Sequence, residues 1–372
     1  MALSKIDVGN MLDDEIRRPN AKPLIINGNC AISQRSTSVT GITGGGYNTC
    51  DRWNLSISSA GTWTQTQESL TSGDAHADGF SKSLKMDNTT ADGSLGSGDY
   101  NQITYKFEGQ DLQLLKKGTA NAEKVTVGFW IKATKTGTNI LEFYDNTNTR
   151  QVSQSYTVSS ADTWEYKVVN FPADTTGALT NDNAQQSVLV FWLGAGSNFS
   201  SGTLNTSWAS STNANRAVGQ VNNSDSTSNN WEITGVQLEV GEYTSATIPP
   251  FQHESYEDNL ARCQRYFLNY IEGNEKIVGM TASYTSSTVV LMHNFPTTMR
   301  TAPTLEIATG SSYYQHGQAN SVEAITGSAI SIDRATLNGT QLLLTSMSAN
   351  EGDAGFIYTG SSSSKISYTS EL

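Results

Sequence analysis

Residues 124–145 read KVTVGFWIKATKTGTNILEFYD, and residues 230–240 read NWEITGVQLEV. In both stretches apolar side chains recur at every second position, as with Val125, Val127, Phe129 and Ile131. That period belongs to a strand with one face buried. Working outward, DRWNLSIS (51–58), GFSKSLKM (79–86), YNQITYKF (100–107), TWEYKVVNF (163–171) and SVLVFWLGAG (187–196) read the same way. In the first of these, Trp53, Leu55 and Ile57 share a face. Clusters of Gly, Asn, Asp, Ser and Thr separate the runs, as turns do. LIINGNCAIS (24–33) is a short apolar run, and GITGGGYNT (41–49) is a glycine-rich turn. With no helical stretch between them, these strands pair antiparallel. The expected fold is all-β, with residues 24–250 forming a jelly-roll β-sandwich.

One passage departs from the pattern. SYEDNLARCQRYFLNYI (255–271) spaces Leu260, Cys263, Phe267 and Ile271 as a helix does. Ser255 is a suitable N-cap, and Glu257 and Asp258 fall in the first turn. A helix over 255–267 is expected, within a linker at 251–270 that follows Pro249-Pro250. Short strand-like runs resume in residues 271–372, and Asn338-Gly339 is a hairpin signal. This part is expected to be a smaller C-terminal β domain. Residues 1–23 carry only a weak apolar pattern, Leu3, Ile6, Met11 and Leu12, and read as an arm that docks on a partner.

Composition narrows the function. The chain has 372 residues, 23 basic against 35 acidic, giving a net charge of −12. No basic run exists, so a nucleic-acid partner is disfavoured. No apolar stretch approaches the ~20 residues of a membrane-spanning helix, so membrane insertion is not expected. The segment MALSKIDVGNMLDDEIRR lacks the apolar core of a secretory signal. Charged residues are 16% of the chain, against ~25% in typical domains. The 7 Trp, 15 Tyr and 11 Phe nevertheless provide for cores. The three cysteines, Cys30, Cys50 and Cys263, are read as buried thiols.

No catalytic motif emerges. The four histidines (His76, His253, His293, His316) form no paired metal motif. There is no nucleophile elbow and no phosphate-binding loop. No enzyme, metal or cofactor is expected. Aromatics outside the strands are the candidates for binding. Trp208 lies in the long polar stretch 203–230, Trp63 lies in SSAGTWTQTQES, and Tyr313, Tyr314 and His316 lie in GSSYYQHGQ. An exposed ring in such a loop stacks on a sugar, with polar neighbours bonding its hydroxyls.

Four passages together resemble bacteriophage virion appendage proteins, chiefly tail fibres and related receptor-binding proteins. They are ALSKIDVGNML (2–12), LIINGNCAISQRSTSVTGITGGGYNTCDRW (24–53), WEITGVQLEVGEYTSATIPPFQHESYEDNLARCQRYF (231–267), and FPTTMRTAPTLEI (295–307) with the closing SEL (370–372). The third is the most specific. The sandwich also resembles jelly-roll carbohydrate-binding modules, through TWEYKVVNFPADTTGAL (163–179) and SVLVFWLGAG. Where such modules carry an Asp tied to structural calcium, this chain has Ile233-Thr234-Gly235-Val236, which argues against calcium.

The resemblance implies a homotrimeric tail fibre located in the virion tail. Its arm would attach to other phage tail or virion proteins. Its distal domain would face host cell-surface polysaccharide or lipopolysaccharide. Within the matched passages, Asp51-Arg52-Trp53, Gln237-Leu238-Glu239, Arg262, Gln264 and Arg265 are expected to be structural rather than catalytic. Three alternatives remain at this point: a head fibre or capsid-decorating protein, a fibre-borne polysaccharide depolymerase, and a free carbohydrate-binding module.

Overall fold

The computed structural model describes residues 22–318 and 321–372. Leu3, Ile6, Met11 and Leu12, the expected attachment residues, lie outside the described residues. The chain divides into two compact units, between Glu254 and Ser255.

The first unit is a β-sandwich. One sheet runs, neighbour by neighbour, Ser38–Ile42, Thr62–Ser69, Lys82–Thr90, Asn230–Val240, Val125–Ala133, Glu165–Phe171. The other runs Ala209–Ser210, Arg150–Val158, Gly137–Asp145, Gln185–Ala195, Tyr100–Glu108, Trp53–Ser58, Gly46–Tyr47. Every pairing among them is antiparallel. Alternation explains the core, because each strand sends every second side chain inward. Phe191 of the second sheet lies 5.1 Å from Phe129 and 5.8 Å from Trp231 of the first. Phe143 and Phe171 meet across the same gap at 6.0 Å.

A bulge interrupts the strand Asn230–Val240 between Thr234 and Gln237. Gly235 holds φ +62° there, and a Cβ at that position would lie 2.6 Å from the Phe80 ring. Only glycine meets both conditions. Cys30, Cys50 and Cys263 are buried, and burial pushes the Cys50 thiol well above its usual range.

Sequence places residues 203–230 in a long loop. In the structure the 196–229 segment lies down on the outer face of the seven-stranded sheet. Val188, Val190 and Trp192 point outward from their strand, yet they are buried by Ala217, Phe199 and Leu204 of that segment. A strand that is apolar on both faces needs a cover on each side.

The second unit begins with the expected helix, Tyr256–Gln264. Ser255 Oγ accepts a hydrogen bond from the Asp258 amide at 3.1 Å, which makes it the N-cap. The helix stops three residues earlier than the apolar spacing suggests. Phe267 and Ile271 instead belong to the strand Phe267–Glu272, which pairs with Lys365–Thr369. The helix therefore belongs to the second unit rather than to a separate linker. Thr304–Ile307 completes that three-stranded sheet. A seven-stranded sheet follows the order Ser321–Ile325, Tyr314–Gln318, Ala354–Thr359, Ile277–Thr285, Thr288–Asn294, Gly339–Thr345, Ile330–Ala335. Leu268, Val289, Leu291, Tyr314, Leu342, Leu344, Ile357 and Tyr368 are among the side chains of its core.

Candidate functional site

The structure corrects most of the aromatic candidates. Trp63 is fully buried, and its Nε1 donates to the Ala60 carbonyl at 2.8 Å. Tyr314 is fully buried, with its hydroxyl donating to the Lys365 carbonyl at 2.7 Å. His316 is 2% exposed and sits 2.9 Å from Thr281 Oγ1. Burial pushes the His316 pKa down, although Glu323 pulls it up. These three have no ring face to offer a sugar. Tyr314 and His316 fail as loop residues because Tyr314–Gln318 is a strand inside the sheet. Alternation sends both toward the core.

Tyr313 is half-buried and packs at the edge of the same core. Trp208 is half-buried and folded back on the sandwich. Its Nε1 donates to the Pro172 carbonyl at 2.9 Å, and its ring lies 5.7 Å from Phe143. Lys117 Nζ stands 4.7 Å from its ring centroid. The stack, the donor and the cation contact all tie Trp208 to its own unit.

The register of the first unit brings other residues together. On the outer face of the seven-stranded sheet, one row runs Tyr47, Asn54, Thr104, Val190, Glu142, Ser153. The next row on that face runs Lys106, Val188, Tyr144, Gln151. Neighbouring positions in a row are about 4.8 Å apart. The 196–229 segment covers the Gln151 and Ser153 end. Ser153 Oγ donates to the Arg216 carbonyl at 2.8 Å, and Gln151 Nε2 donates to the Thr212 carbonyl at 3.3 Å. Clear of this cover, Tyr47, Asn54, Ser56 and Lys106 remain half-exposed, and Tyr144 is half-exposed at the margin of the cover, beyond the buried Val188 and Val190. Thr104 and Gln102 lie between them, at 5% and 7% exposed.

Two cations frame the strip. Lys106 Nζ lies 5.5 Å from the Tyr47 ring centroid, and the Arg216 guanidinium lies 4.9 Å from that of Tyr144. The arrangement sets two tyrosine rings, the Asn54 amide, the Ser56 hydroxyl and the Lys106 ammonium on one face of a rigid sheet. It can stack against a ring and hydrogen-bond a row of hydroxyls.

The carboxylates nearby are engaged in ion pairs. Arg216 donates to both Glu142 oxygens, at 2.8 and 3.0 Å, and Trp192 Nε1 donates to the same carboxylate at 3.0 Å. Burial works against the Arg216 charge, but Glu142 outweighs it and leaves the guanidinium pKa raised. At one end of the sandwich, Lys117 pairs with both Asp145 and Asp174, and Arg150 grips Asp174 through two bonds of 2.8 Å. Burial alone would raise the Asp174 pKa, but Arg150 and Lys117 hold it below the usual range. A general acid for glycoside cleavage needs the opposite shift.

Sequence reasoning missed this strip for a definable reason. Alternation in YNQITYKF shows that Gln102, Thr104 and Lys106 share a face, but not which strands flank them. Tyr47 reads as part of a turn, and Tyr144 only as part of the strand-like run NILEFYD.

No protein-family model matches the chain, and no curated protein matches it. Among solved structures, it is similar to the enzymatically active domain of tailspike protein 4 of bacteriophage CBA120. The identity is 14% and the TM-score 0.30, over 59% of this chain and 21% of that one. A putative sugar binding protein from Bacteroides thetaiotaomicron gives 13% and 0.32, over 59% of this chain and 100% of that one. A family 11 carbohydrate-binding module from Clostridium thermocellum, solved with a mixed-linked tetrasaccharide, gives 9% and 0.28, over 56% and 98%.

Proposed function

We propose that the first unit binds glycan along the strip between Tyr47 and Tyr144. We further propose that the protein is a structural and adhesive part of a phage virion, a tail fibre that attaches to host-surface polysaccharide or lipopolysaccharide. The observation that supports the glycan reading is the placement of half-exposed Tyr47, Asn54, Ser56 and Lys106 on one rigid sheet face, with Tyr144 farther along that face at the margin of the covering segment. The tail assignment rests on the four passages that resemble virion appendage proteins. In this reading the N-terminal arm meets other virion proteins, and a homotrimer presents several weak sites together. Avidity then supplies what a single site lacks.

Glycan binding is tested by calorimetry and array binding against bacterial surface polysaccharides and lipopolysaccharides. Tyr144→Ala should weaken binding about tenfold, which corresponds to ~1.4 kcal/mol. Asn54→Ala should weaken it less, and the melting temperature should stay close to wild type in both. A wild-type protein that binds none of these glycans overturns the reading. The tail assignment is tested by immunogold microscopy of virions with antibody to residues 255–372. Label at the tail periphery supports it, and label over the capsid rejects it.

A further inference from the structure

The outer face of the second unit's seven-stranded sheet is apolar and open. Its register aligns Val322, Gly317, Phe356 and Met280 in one row across four strands. Thr281 opposes Leu291, and Met292 opposes Gln341, so Met292 and Gln341 extend the row. The same face carries Ile277, opposite Tyr358, and Tyr284 farther along its strand. Phe356 stacks on Tyr358 with centroids 5.7 Å apart, and it lies over Gly317, where any Cβ would come within 2.6 Å of its ring.

Exposure makes this face unusual. Ile277, Met280, Tyr284, Met292, Val322 and Phe356 are 41–75% exposed. At roughly 200 Å² for a large side chain, these six present about 750 Å² of apolar surface. A soluble monomer rarely leaves more than ~300–600 Å² in one patch. A standard interface hides ~800 Å² on each partner.

Charge indicates what covers it. The chain carries a net charge of −12, so most ways of bringing two copies together oppose like charges. The row from Val322 to Gln341 has no ionisable side chain, and Arg334 on the edge strand is the first charge at its end. We propose that this face is the interface between copies of this chain, with the Met280–Met292–Phe356 rows of the copies packed against one another. Such a contact brings together no ionisable side chain of the row and removes methionine and aromatic surface from water. The inference rests on the homotrimer of the proposed function, whose contact face it names, and not on the glycan site, which lies in the first unit.

Light scattering after size exclusion tests it on the full chain. Wild type should run as an oligomer, and the Met280→Asp/Met292→Asp double variant should dissociate, with association weakened at least a hundredfold. Both residues are exposed in the single chain, so the variant should fold, and near-ultraviolet circular dichroism checks this. Tyr284→Lys, outside the row, should weaken association as well and covers the case of a misfolded double variant. Leu114→Asp, an exposed apolar site in the first unit, should leave the oligomer intact. Peroxide should oxidise Met280 and Met292 of wild type far more slowly than free methionine. A monomeric wild type, an oligomer that survives both variants, or rapid oxidation of the two methionines overturns the proposal. A monomeric wild type would also remove the homotrimer from the proposed function, whereas single-site glycan affinity, measured on the dissociated variant, judges the glycan site separately.

Discussion

His293 lies flat on Tyr270, with ring centroids 4.2 Å apart and an interplanar angle of 11°. Neither ring nitrogen has a hydrogen-bond partner. Burial without a compensating acceptor favours the neutral ring and pushes the pKa from 6.5 down to about 4. The folded unit then refuses a proton that the unfolded chain accepts. His293 therefore leaves stability unchanged above pH 6.5 and lowers it as pH falls from 6.5 toward about 4. His316, whose pKa is also pushed down, acts in the same direction. His293→Phe keeps the stack and removes the proton site. The second unit of that variant should match or exceed wild type at pH 7 and lose less stability between pH 7 and 5. Urea midpoints from the part of the tyrosine signal that tryptophan emission does not share measure this, and a pH slope equal to that of wild type would reject the account.

Among elements, the Lys117 clasp joins three pieces of the sandwich. It ties the turn after the 3₁₀ segment Gly109–Leu115 to the end of strand Gly137–Asp145 and to the 172–177 connection. Asp145 is fully buried, and Asp174 is 5% exposed. Lys117→Met leaves Asp145 without its cation, and breaking a buried pair from one side typically costs ~3–5 kcal/mol. The first unit should lose stability on that scale, read from its tryptophan denaturation midpoint. A shift below about 1 kcal/mol would mean that water reaches the carboxylates.

The sandwich strands were legible in the sequence because alternation is a local signal. So was the N-terminus of the helix, because a cap acts within three residues. The end of the helix was not legible, since Phe267 answers to Thr369, about a hundred residues away. Nor was the folding of the 196–229 segment onto the sheet, since a polar composition does not reveal Ala217 and Phe199 meeting Trp192. The aromatic candidates failed for the same reason: Trp63 and Tyr314 look polar-flanked in sequence, yet their strands turn them inward.

At the scale of the molecule, the passages that resemble virion proteins converge on two structural clasps. In the first unit, Asn27 accepts from the Ile32 amide and donates to the Ile32 and Asp51 carbonyls, and Trp53 Nε1 donates to the Asn27 carbonyl at 3.0 Å. The Val236 amide donates to the Gly28 carbonyl at 2.9 Å, which joins the ING and ITGVQLEV motifs. In the second unit, the Arg300 guanidinium donates to the Ser370 and Glu371 carbonyls at 2.6 and 2.8 Å. The Arg300 amide donates to the Arg265 carbonyl at 2.8 Å, and the Ser370 amide to the Tyr266 carbonyl at 2.8 Å. The CQRYF, MRTAP and SEL motifs thus meet at one place. Their residues tie distant parts of each unit together.

Because each clasp lies within one unit, damage to it should stay within that unit. All seven tryptophans precede residue 255, so tryptophan emission follows the first unit alone. Arg300→Ala removes two charge-assisted hydrogen bonds, each typically worth ~1.5–3 kcal/mol. Tyrosines occur in both units, so the second unit is followed by the tyrosine transition that tryptophan emission does not share; that transition should fall by roughly 3–6 kcal/mol while the tryptophan transition stays in place. Equal shifts in both signals would show that the two units unfold as one, and an unmoved tyrosine transition would show that the C-terminal carbonyls are held by other contacts.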